Sequence, residues 1–331
     1  MEQILQMVTA PKGQLRILHA PECWLVLVGL AVLWLFPDDL GFATTVIINA
    51  LFVLSLSLVL GQAGVMSMGH AAVFGSGAYS AGLVALHVTG DPLIGLVLGG
   101  VAGALVAFVS GLMILRAKGL TLVMLTIAAS QILLEVANKA RAVTGGDDGL
   151  SGFSVRPILG YFEFDFYGVT AYLYSLAVLI AVYFVVRKVV ASPFGLSSRA
   201  IKDDPSRMTA LGCNVYVHLV AVFVIGGFIG GLAGALSAQT TRVVGLNTLD
   251  FQTSAGALVM LVLGGMARLP GALIGTFVYM VVHHAVSTAD PYHWLFVIGF
   301  MLIITMLVLP QGLIQLFDGL QQIVKRGAVH D

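Results

Sequence analysis

Long apolar stretches alternate with short polar connections along most of this chain. A membrane-crossing helix needs about 20 mostly apolar residues, and on that scale the sequence predicts about ten spans. They cover residues 20–36, 41–60, 68–88, 93–115, 119–138, 168–187, 215–238, 251–267, 270–288 and 292–309. The pattern therefore predicts an all-α fold, a polytopic transmembrane helix bundle.

The lengths of the connections predict a single transmembrane domain over residues 1–331. Most connections are short, which is typical of a compact bundle. Two are long, and a polar tail follows the final span. The predicted blocks are the first span at 20–36, spans two to five at 41–138, an outer loop at 139–167, the sixth span at 168–187, a cytoplasmic loop at 188–214, spans seven to ten at 215–309 and a cytoplasmic tail at 310–331.

The basic residues predict the orientation, because cytoplasmic connections carry an excess of lysine and arginine. With ten spans and a cytoplasmic N-terminus, twelve of the 16 basic residues fall on the cytoplasmic side. The four on the outer side are Lys139, Arg141, Arg156 and Arg242. Losing one span would scramble this split, so we expect an even number of spans with both termini in the cytoplasm.

The composition excludes most other classes of protein. The chain has 331 residues, of which 59% are hydrophobic and 10% charged, and its mean hydropathy is +1.00. Soluble domains carry about 25% charged residues, so we expect most of this chain to lie in membrane lipid. Its net charge is zero with no basic stripe, which argues against nucleic acid as a partner.

The sequence predicts neither a cofactor nor a metal site. Its two cysteines, Cys23 and Cys213, form neither a disulfide framework nor a metal-ligand spacing. A nucleotide-binding P-loop needs Gly-Lys-Ser/Thr, and no lysine of this chain follows a glycine. Energy for any transport must therefore come from a partner or from an ion gradient.

Small residues spaced four apart indicate close helix contacts in the predicted seventh span. Gly226, Gly230 and Gly234 form one line, with Gly227 and Gly231 beside it. Such lines let helix backbones approach each other in lipid. The spacing fits packing within one chain and packing between subunits equally well.

Residues 61–80 are unusually polar and rich in glycine for a predicted membrane segment. Glycine weakens a regular helix, and broken helices at membrane depth occur where they are buried in protein or line a cavity. The segment therefore predicts lining of a substrate pathway, with polar packing between helices as the alternative. The polar side chains at issue are Gln62, Ser67, His70, Ser76 and Tyr79.

Ionisable and amide side chains elsewhere in the spans allow two interpretations. Gln131 and Glu135 share one face of the predicted fifth span; they would guide substrate, or Glu135 would simply reach interfacial water. His283 and His284 would couple transport to protons, or form an ordinary interfacial pair. We find no converging acid–base or metal constellation, so the sequence does not predict an enzyme.

The cytoplasmic loop contains the signature of a short, well-capped helix. Asp204 fits the N-cap, Pro205 the first helical position and Gly212 a left-handed C-terminal stop. The signature predicts a helix of about two turns. Such a helix would dock on a cytoplasmic partner, or lie solvated at the membrane surface.

Several segments together resemble the LivM-type permeases, which are membrane subunits of branched-chain amino acid ABC importers. The resemblance extends over about residues 45–310, in the order of that family. The matching segments are 61–72, 74–79, 115–120, 144–152, 192–201, 210–212, 230–236 and 263–265.

The resemblance implies a type II ABC-importer-like permease subunit in a bacterial plasma (inner) membrane. It implies a heterodimer with a paralogous permease subunit, two cytoplasmic ATPase subunits and an extracytoplasmic solute-binding protein. The implied cargo is branched-chain amino acids or a related small polar or amphipathic solute, moved by alternating access. The implied ATPase-coupling residues are Arg199, Asp203, Asp204, Pro205, Arg207, Leu211 and Gly212. The alternative from the residues is an ion-coupled secondary transporter of small solutes.

Overall fold

The computed structural model describes residues 29, 31–34, 39–157, 168–266, 268–290, 293–309 and 312–315. Of the predicted first span at 20–36, residue 29 and residues 31–34 are described, and they are helical. Part of the predicted outer loop and most of the predicted tail at 310–331 lie outside the described residues. The number of spans and the position of both termini therefore remain predictions.

The described part of the chain is almost entirely helical. Its α-helices are α1 (Leu40–Leu56, continued as a π-helix over Ser57–Gln62), α2 (Ala71–His87), α3 (Pro92–Ile114), α4 (Leu120–Lys139), α5 (Arg141–Thr144), α6 (Val169–Ala191), α7 (Pro193–Asp203), α8 (Pro205–Ala210), α9 (Val215–Thr241), α10 (Phe251–Gly264), α11 (Leu269–Ala289) and α12 (Trp294–Val308). Short 3-10 turns cover Gly146–Asp148 and Leu246–Leu249, and two-residue strands cover Leu150–Ser151 (β1) and Val243–Val244 (β2).

Six of these helices are long and apolar enough to cross a membrane. They are Leu40–Gln62, α3, α4, α6, α9 and α11. The helices α2, α10 and α12 are apolar but shorter. Two of these shorter helices, α2 and α10, begin inside the bundle, and a segment that is not α-helical leads into each of them.

Two helix ends and one loop differ from the sequence prediction. α1 runs on to Gln62 as a π-helix, whose turns are wider than those of an α-helix. α6 extends to Ala191, since Arg187 and Lys188 carry polar groups on long apolar stems that can reach the membrane surface. The loop at 188–214 holds α7 in addition to the predicted short helix, because Ser192-Pro193 forms a second helix start.

The two glycine lines of α9 place this helix at the centre of the bundle. A side chain at Gly226, Gly230 or Gly234 would meet atoms of α1 or α2. A side chain at Gly227 or Gly231 would instead meet α3. Both lines therefore serve contacts within this chain.

Contacts between helix ends define two sides of the bundle. On one, Lys202 bonds to Gly61 and the Tyr216 hydroxyl donates to the carbonyl oxygen of Leu112. On the other, β1 pairs antiparallel with β2 and Arg156 N donates to the carbonyl oxygen of Gly90. We call the first the Lys202 side and the second the strand side. Among described basic residues, Arg116, Lys118, Arg187, Lys188, Arg199, Lys202, Arg207 and Arg268 belong to helix ends on the Lys202 side, and Lys139, Arg141, Arg156 and Arg242 to the strand side.

Candidate functional site

The chain between α1 and α2 is non-helical and penetrates the bundle. The turn out of α1 contains Gly64 at φ +73°, a conformation that glycine adopts without a steric penalty. Farther on, Met68 N donates to Thr126 Oγ1 at 3.2 Å. Thr126 lies six residues after the start of α4, about 9 Å along that helix. Residues 63–70, which we call the broken segment, therefore extend from the Lys202 side into the interior of the bundle.

α2 begins where the broken segment meets the first turn of α10. The N–H of Ala71 donates to Ser254 Oγ at 2.7 Å, and the contact is buried. Ser254 is 10 residues from the end of α10 at Gly264, about 15 Å along the helix axis, or half the thickness of a bilayer core. The N-terminal turns of α2 and α10 thus meet near the middle of the bundle, and the two helices run from there towards opposite sides.

His70 is the polar centre of this meeting point. Its side chain is 1% exposed, and its ring stacks on Phe52 with 5.6 Å between centroids. The Ser55 hydroxyl donates to the carbonyl oxygen of Phe52 at 2.6 Å, and its oxygen lies 2.8 Å from His70 Nε2, which leaves Nε2 to donate. His70 Nδ1 is buried without a hydrogen-bond partner among the described residues.

The other predicted pathway residues of this region are also enclosed by the bundle. Gln62, Ser67 and Tyr79 are buried, and each has a buried polar atom without a described partner. Ser76 is half-buried and donates to the carbonyl oxygen of Val73 at 2.8 Å. In contrast to the irregular helix predicted for 61–80, the irregular backbone ends at residue 70, after the π-turn that includes Gly61 and Gln62 and the broken segment, because tight packing holds the glycines of α2 in a regular helix.

Gln131 and Glu135 lie apart from this enclosed group. The buried residues of α4 are Leu122, Thr126, Ser130 and Ala137, whereas Gln131 and Glu135 are exposed on the helix surface. Glu135 Oε1 lies 3.4 Å from Lys139 Nζ in an exposed ion pair. Glu135 and Lys139 line a shallow surface depression of about 480 Å³ together with Ile132, Val136 and Ala140. 

Gln131 lies one helical turn before Glu135 and is not part of the lining of that depression, whose polar rim is formed by Glu135 and Lys139. The amide of Gln131 is therefore exposed near the middle of a helix long enough to cross a membrane. An exposed amide at that depth is costly in lipid.

The predicted short helix of the loop at 188–214, which we call the polar loop, is present as α8. Asp204 is its N-cap, and Asp204 Oδ1 accepts from Arg207 N at 3.0 Å. Pro205 occupies the first helical position, and Gly212 follows with φ +86°. Leu211 is 75% exposed at its end, so α8 presents an apolar side chain to its surroundings.

α7 is anchored to the spans on both sides of the loop. Ser198 Oγ lies 2.9 Å from His218 Nε2 in α9, and Phe194 stacks on the same ring at 4.3 Å between centroids. Arg199 Nη2 donates to the carbonyl oxygen of Val190 in α6 at 2.9 Å. Asp203 is exposed at the last helical position. α7 is therefore joined by side-chain contacts to both α6 and α9.

Sequence reasoning missed Ser55, Thr126, Ser254 and Lys202 as parts of these contacts. The available signal was weak: Thr126 and Ser130 form an i, i+4 polar pair in an apolar helix. Hydroxyls of membrane helices commonly bond within their own turn, so their sequence positions do not reveal a distant partner. Within the described residues, no group of three His, Cys, Asp or Glu side chains is placed to hold a metal ion.

Comparison with known proteins gives consistent similarities. The sequence model of the family described as "Branched-chain amino acid transport system / permease component" matches residues 40–306. The chain is 26% identical to the high-affinity branched-chain amino acid transport system permease protein LivM of Salmonella typhimurium, over 88% of this chain and 74% of that protein. The Escherichia coli K12 protein of the same name is 26% identical over 86% of this chain and 72% of its own length.

A second group of relatives matches a shorter part of the chain. The high-affinity branched-chain amino acid transport system permease protein LivH of Salmonella typhimurium is 31% identical over 124 residues, which is 37% of this chain and 40% of that protein. No solved structure is significantly similar to the chain.

Proposed function

This chain belongs to the family of branched-chain amino acid transport system permease components, and we propose that it is the membrane-spanning permease subunit of an ATP-driven ABC importer. The observation that carries the proposal is the family match over residues 40–306. That range contains the broken segment, the meeting point of α2 and α10, and both helices of the polar loop. The resemblance of the sequence motifs to LivM-type permeases points to the same family.

The proposed cargo is branched-chain amino acids or a related small polar or amphipathic solute. The names of the LivM and LivH relatives support this class. We place the pathway along Gln62, Ser67, His70, Ser76 and Tyr79. Discontinuous helices at mid-depth form substrate sites in many transporters, and buried polar atoms without partners are groups that a passing solute can satisfy.

The exposed face of α4 supports a pathway that a second subunit completes. The amide of Gln131 and the carboxylate of Glu135 lie on that face, where lipid would leave the amide unsatisfied. A paralogous permease packed there would supply polar partners or enclose water. The similarity of this chain to both LivM and LivH proteins fits a heterodimer of related subunits.

We propose ten spans with both termini in the cytoplasm. Eight described basic residues belong to the Lys202 side and four to the strand side. Under the positive-inside rule, the Lys202 side faces the cytoplasm of a bacterial inner membrane. The strand side then receives solute from an extracytoplasmic binding protein.

The helices α7 and α8 would receive the movement of two cytoplasmic ATPase subunits. α8 is rigid for its size because Asp204 caps it and Gly212 ends it. Its exposed Leu211 and the charges of Arg199, Asp203 and Arg207 suit a docking surface. ATP binding would displace these helices, and α6 and α9 would follow, which opens the pathway to one side at a time.

Co-purification from the native membrane tests the proposal directly. The tagged chain should bring down a paralogous permease and ATPase subunits. Recovery of this chain alone, together with uptake driven by an ion gradient in vesicles without ATP, would overturn the proposal in favour of an ion-coupled transporter.

A second experiment tests the coupling role of α8. Residues 204–211 are replaced by a Gly/Ser linker of equal length. We expect membrane insertion to persist and ATP-dependent uptake to be lost. Wild-type uptake by this variant would remove α8 from the mechanism.

A further inference from the structure

Lys202 joins the polar loop to the end of α1. Its ammonium donates to the carbonyl oxygen of Gly61 at 2.8 Å, across 141 residues of sequence. We propose that Lys202 is a positioning residue that transmits movement of α7 to the broken segment. The inference rests on the proposed function, in which α7 and α8 receive the movement of the ATPases.

The contact is made where a helix needs a donor. The last carbonyl groups of a helix lack intrahelical partners, and the C-terminal end of the helix dipole favours a positive charge. Gly61 lies in the final turn of the π-helix Ser57–Gln62. The ammonium of Lys202 therefore pairs with the carbonyl of a buried helix-end residue and stabilises the end of α1.

The stem of Lys202 touches the same turn a second time. A Cβ placed on Gly64 would lie 2.8 Å from Lys202 Cγ, so the aliphatic chain passes directly over this residue. A side chain at Gly61 would collide with the carbonyl oxygen of Met266. The turn from Gly61 to Gly64 is thus in close contact with both α7 and the chain that follows α10.

α7 can carry movement to Lys202 because several of its other side chains are buried or hydrogen-bonded to neighbouring helices. Ile201, next to Lys202, is 1% exposed. Ser198 bonds His218 of α9, and Arg199 bonds the backbone of α6. A displacement of α7 therefore carries the Lys202 ammonium with it, and the turn at Gly61 must either follow or lose its hydrogen bond.

The structure beyond Gly61 is suited to respond. π-turns are rare and occur often at functional sites. Ser57 Oγ and Gln62 Oε1, within the π-helix, are buried without described partners. Gln62 leads into the broken segment, which carries Ser67 and ends at His70. A shift at Gly61 would therefore displace the residues that are proposed to line the pathway.

The first test measures the contact without requiring transport. In the purified complex, with Cys23 and Cys213 changed to serine, a Ser67→Cys probe reports how tightly the broken segment is held. Lys202→Met keeps the aliphatic stem and removes the donor, and it should raise the rate of labelling by a soluble maleimide about tenfold. The matched control is Lys188→Met, because Lys188 lies over the Phe184 ring at 4.2 Å. Equal labelling rates in all three chains would overturn the inference.

The second test measures coupling in proteoliposomes that contain the whole importer. Lys202→Met should lower the amount of solute moved per ATP hydrolysed about tenfold while hydrolysis continues. Lys202→Arg, which keeps a cationic donor, should restore most of that ratio. An unchanged ratio in Lys202→Met would overturn the inference. Absence of ATP-dependent uptake by the wild-type complex would instead count against the proposed function, and the labelling result would still decide whether Lys202 holds the broken segment.

Discussion

The backbone N–H of Ala71 donates to the hydroxyl oxygen of Ser254 at 2.7 Å, and this bond joins the first turns of α2 and α10. The amides at a helix N-terminus have no acceptor within the helix. A helix that begins inside a membrane bundle must therefore find an acceptor on another element. Here, a residue 183 positions away supplies it.

Replacing Ser254 with alanine should destabilise the meeting point of α2 and α10. The change leaves the buried Ala71 amide unpaired, at a cost of about 1–3 kcal/mol. Thermal unfolding of the purified protein in detergent measures the loss, and Ser254→Thr should keep most of the stability. Ser287→Ala is the control, since Ser287 bonds only locally to the carbonyl oxygen of His284 within the described structure. Equal melting temperatures for Ser254→Ala and the control would contradict the prediction.

Gly234→Ala should disrupt the packing of α9 against α2. A methyl group there would collide with the carbonyl oxygen of Phe74, and overpacking of this kind costs about 1–3 kcal/mol. Gly256→Ala is the matched control, because a Cβ on Gly256 meets nothing within 4 Å. The amount of folded protein after heating should fall for Gly234→Ala alone. Similar losses of folded protein for both variants would show that the close contact at Gly234 does not determine the stability of the fold.

Asp204→Ala should loosen α8. Loss of an N-cap side chain costs about 1 kcal/mol. α8 has only six residues, so few intrahelical hydrogen bonds remain to offset that loss. Hydrogen exchange of the amides at 207–211 should become several-fold faster. Ser206→Ala, an exposed neighbour that leaves the cap intact, should exchange as the wild type does. Unchanged exchange in Asp204→Ala would mean that docking against the spans, rather than the cap, holds α8.

Gln131→Leu should reduce uptake several-fold without lowering the amount of protein in the membrane. Leucine suits lipid better than an amide does, so a lipid-facing position would tolerate the change. A position facing a partner subunit or a solute would lose a polar contact. Met124→Leu, seven residues earlier on the same exposed face, is the matched control. Wild-type uptake by Gln131→Leu would indicate that this face of α4 meets lipid.

Local signals in the sequence were sufficient to predict some elements. The long apolar helices appear close to their predicted positions, because about 20 apolar residues specify a membrane-crossing helix whatever surrounds it. The short helix α8 was predicted from Asp204, Pro205 and Gly212, whose backbone preferences act within one or two turns. The resemblance to LivM-type permeases is confirmed by the family match.

Other features depend on contacts that no local signal reveals. The glycines at 61–80 predicted a broken helix, but they could not show that the break ends at Ala71, where Ser254 supplies an acceptor. The face of α4 that carries Gln131 was visible from its spacing. Which face of α4 the bundle covers was not, since that depends on where the broken segment packs.

The sequence by itself determined the class of this protein, its apolar spans, the distribution of its basic residues and the short capped helix α8. These properties follow from composition and from interactions between residues a few positions apart. Tertiary structure alone decided the π-turn at the end of α1, the meeting of α2 with α10, and the bond from Lys202 to Gly61. The last two each satisfy a backbone group at a helix end, and in a bundle with little water that partner must come from whichever distant segment folding brings alongside.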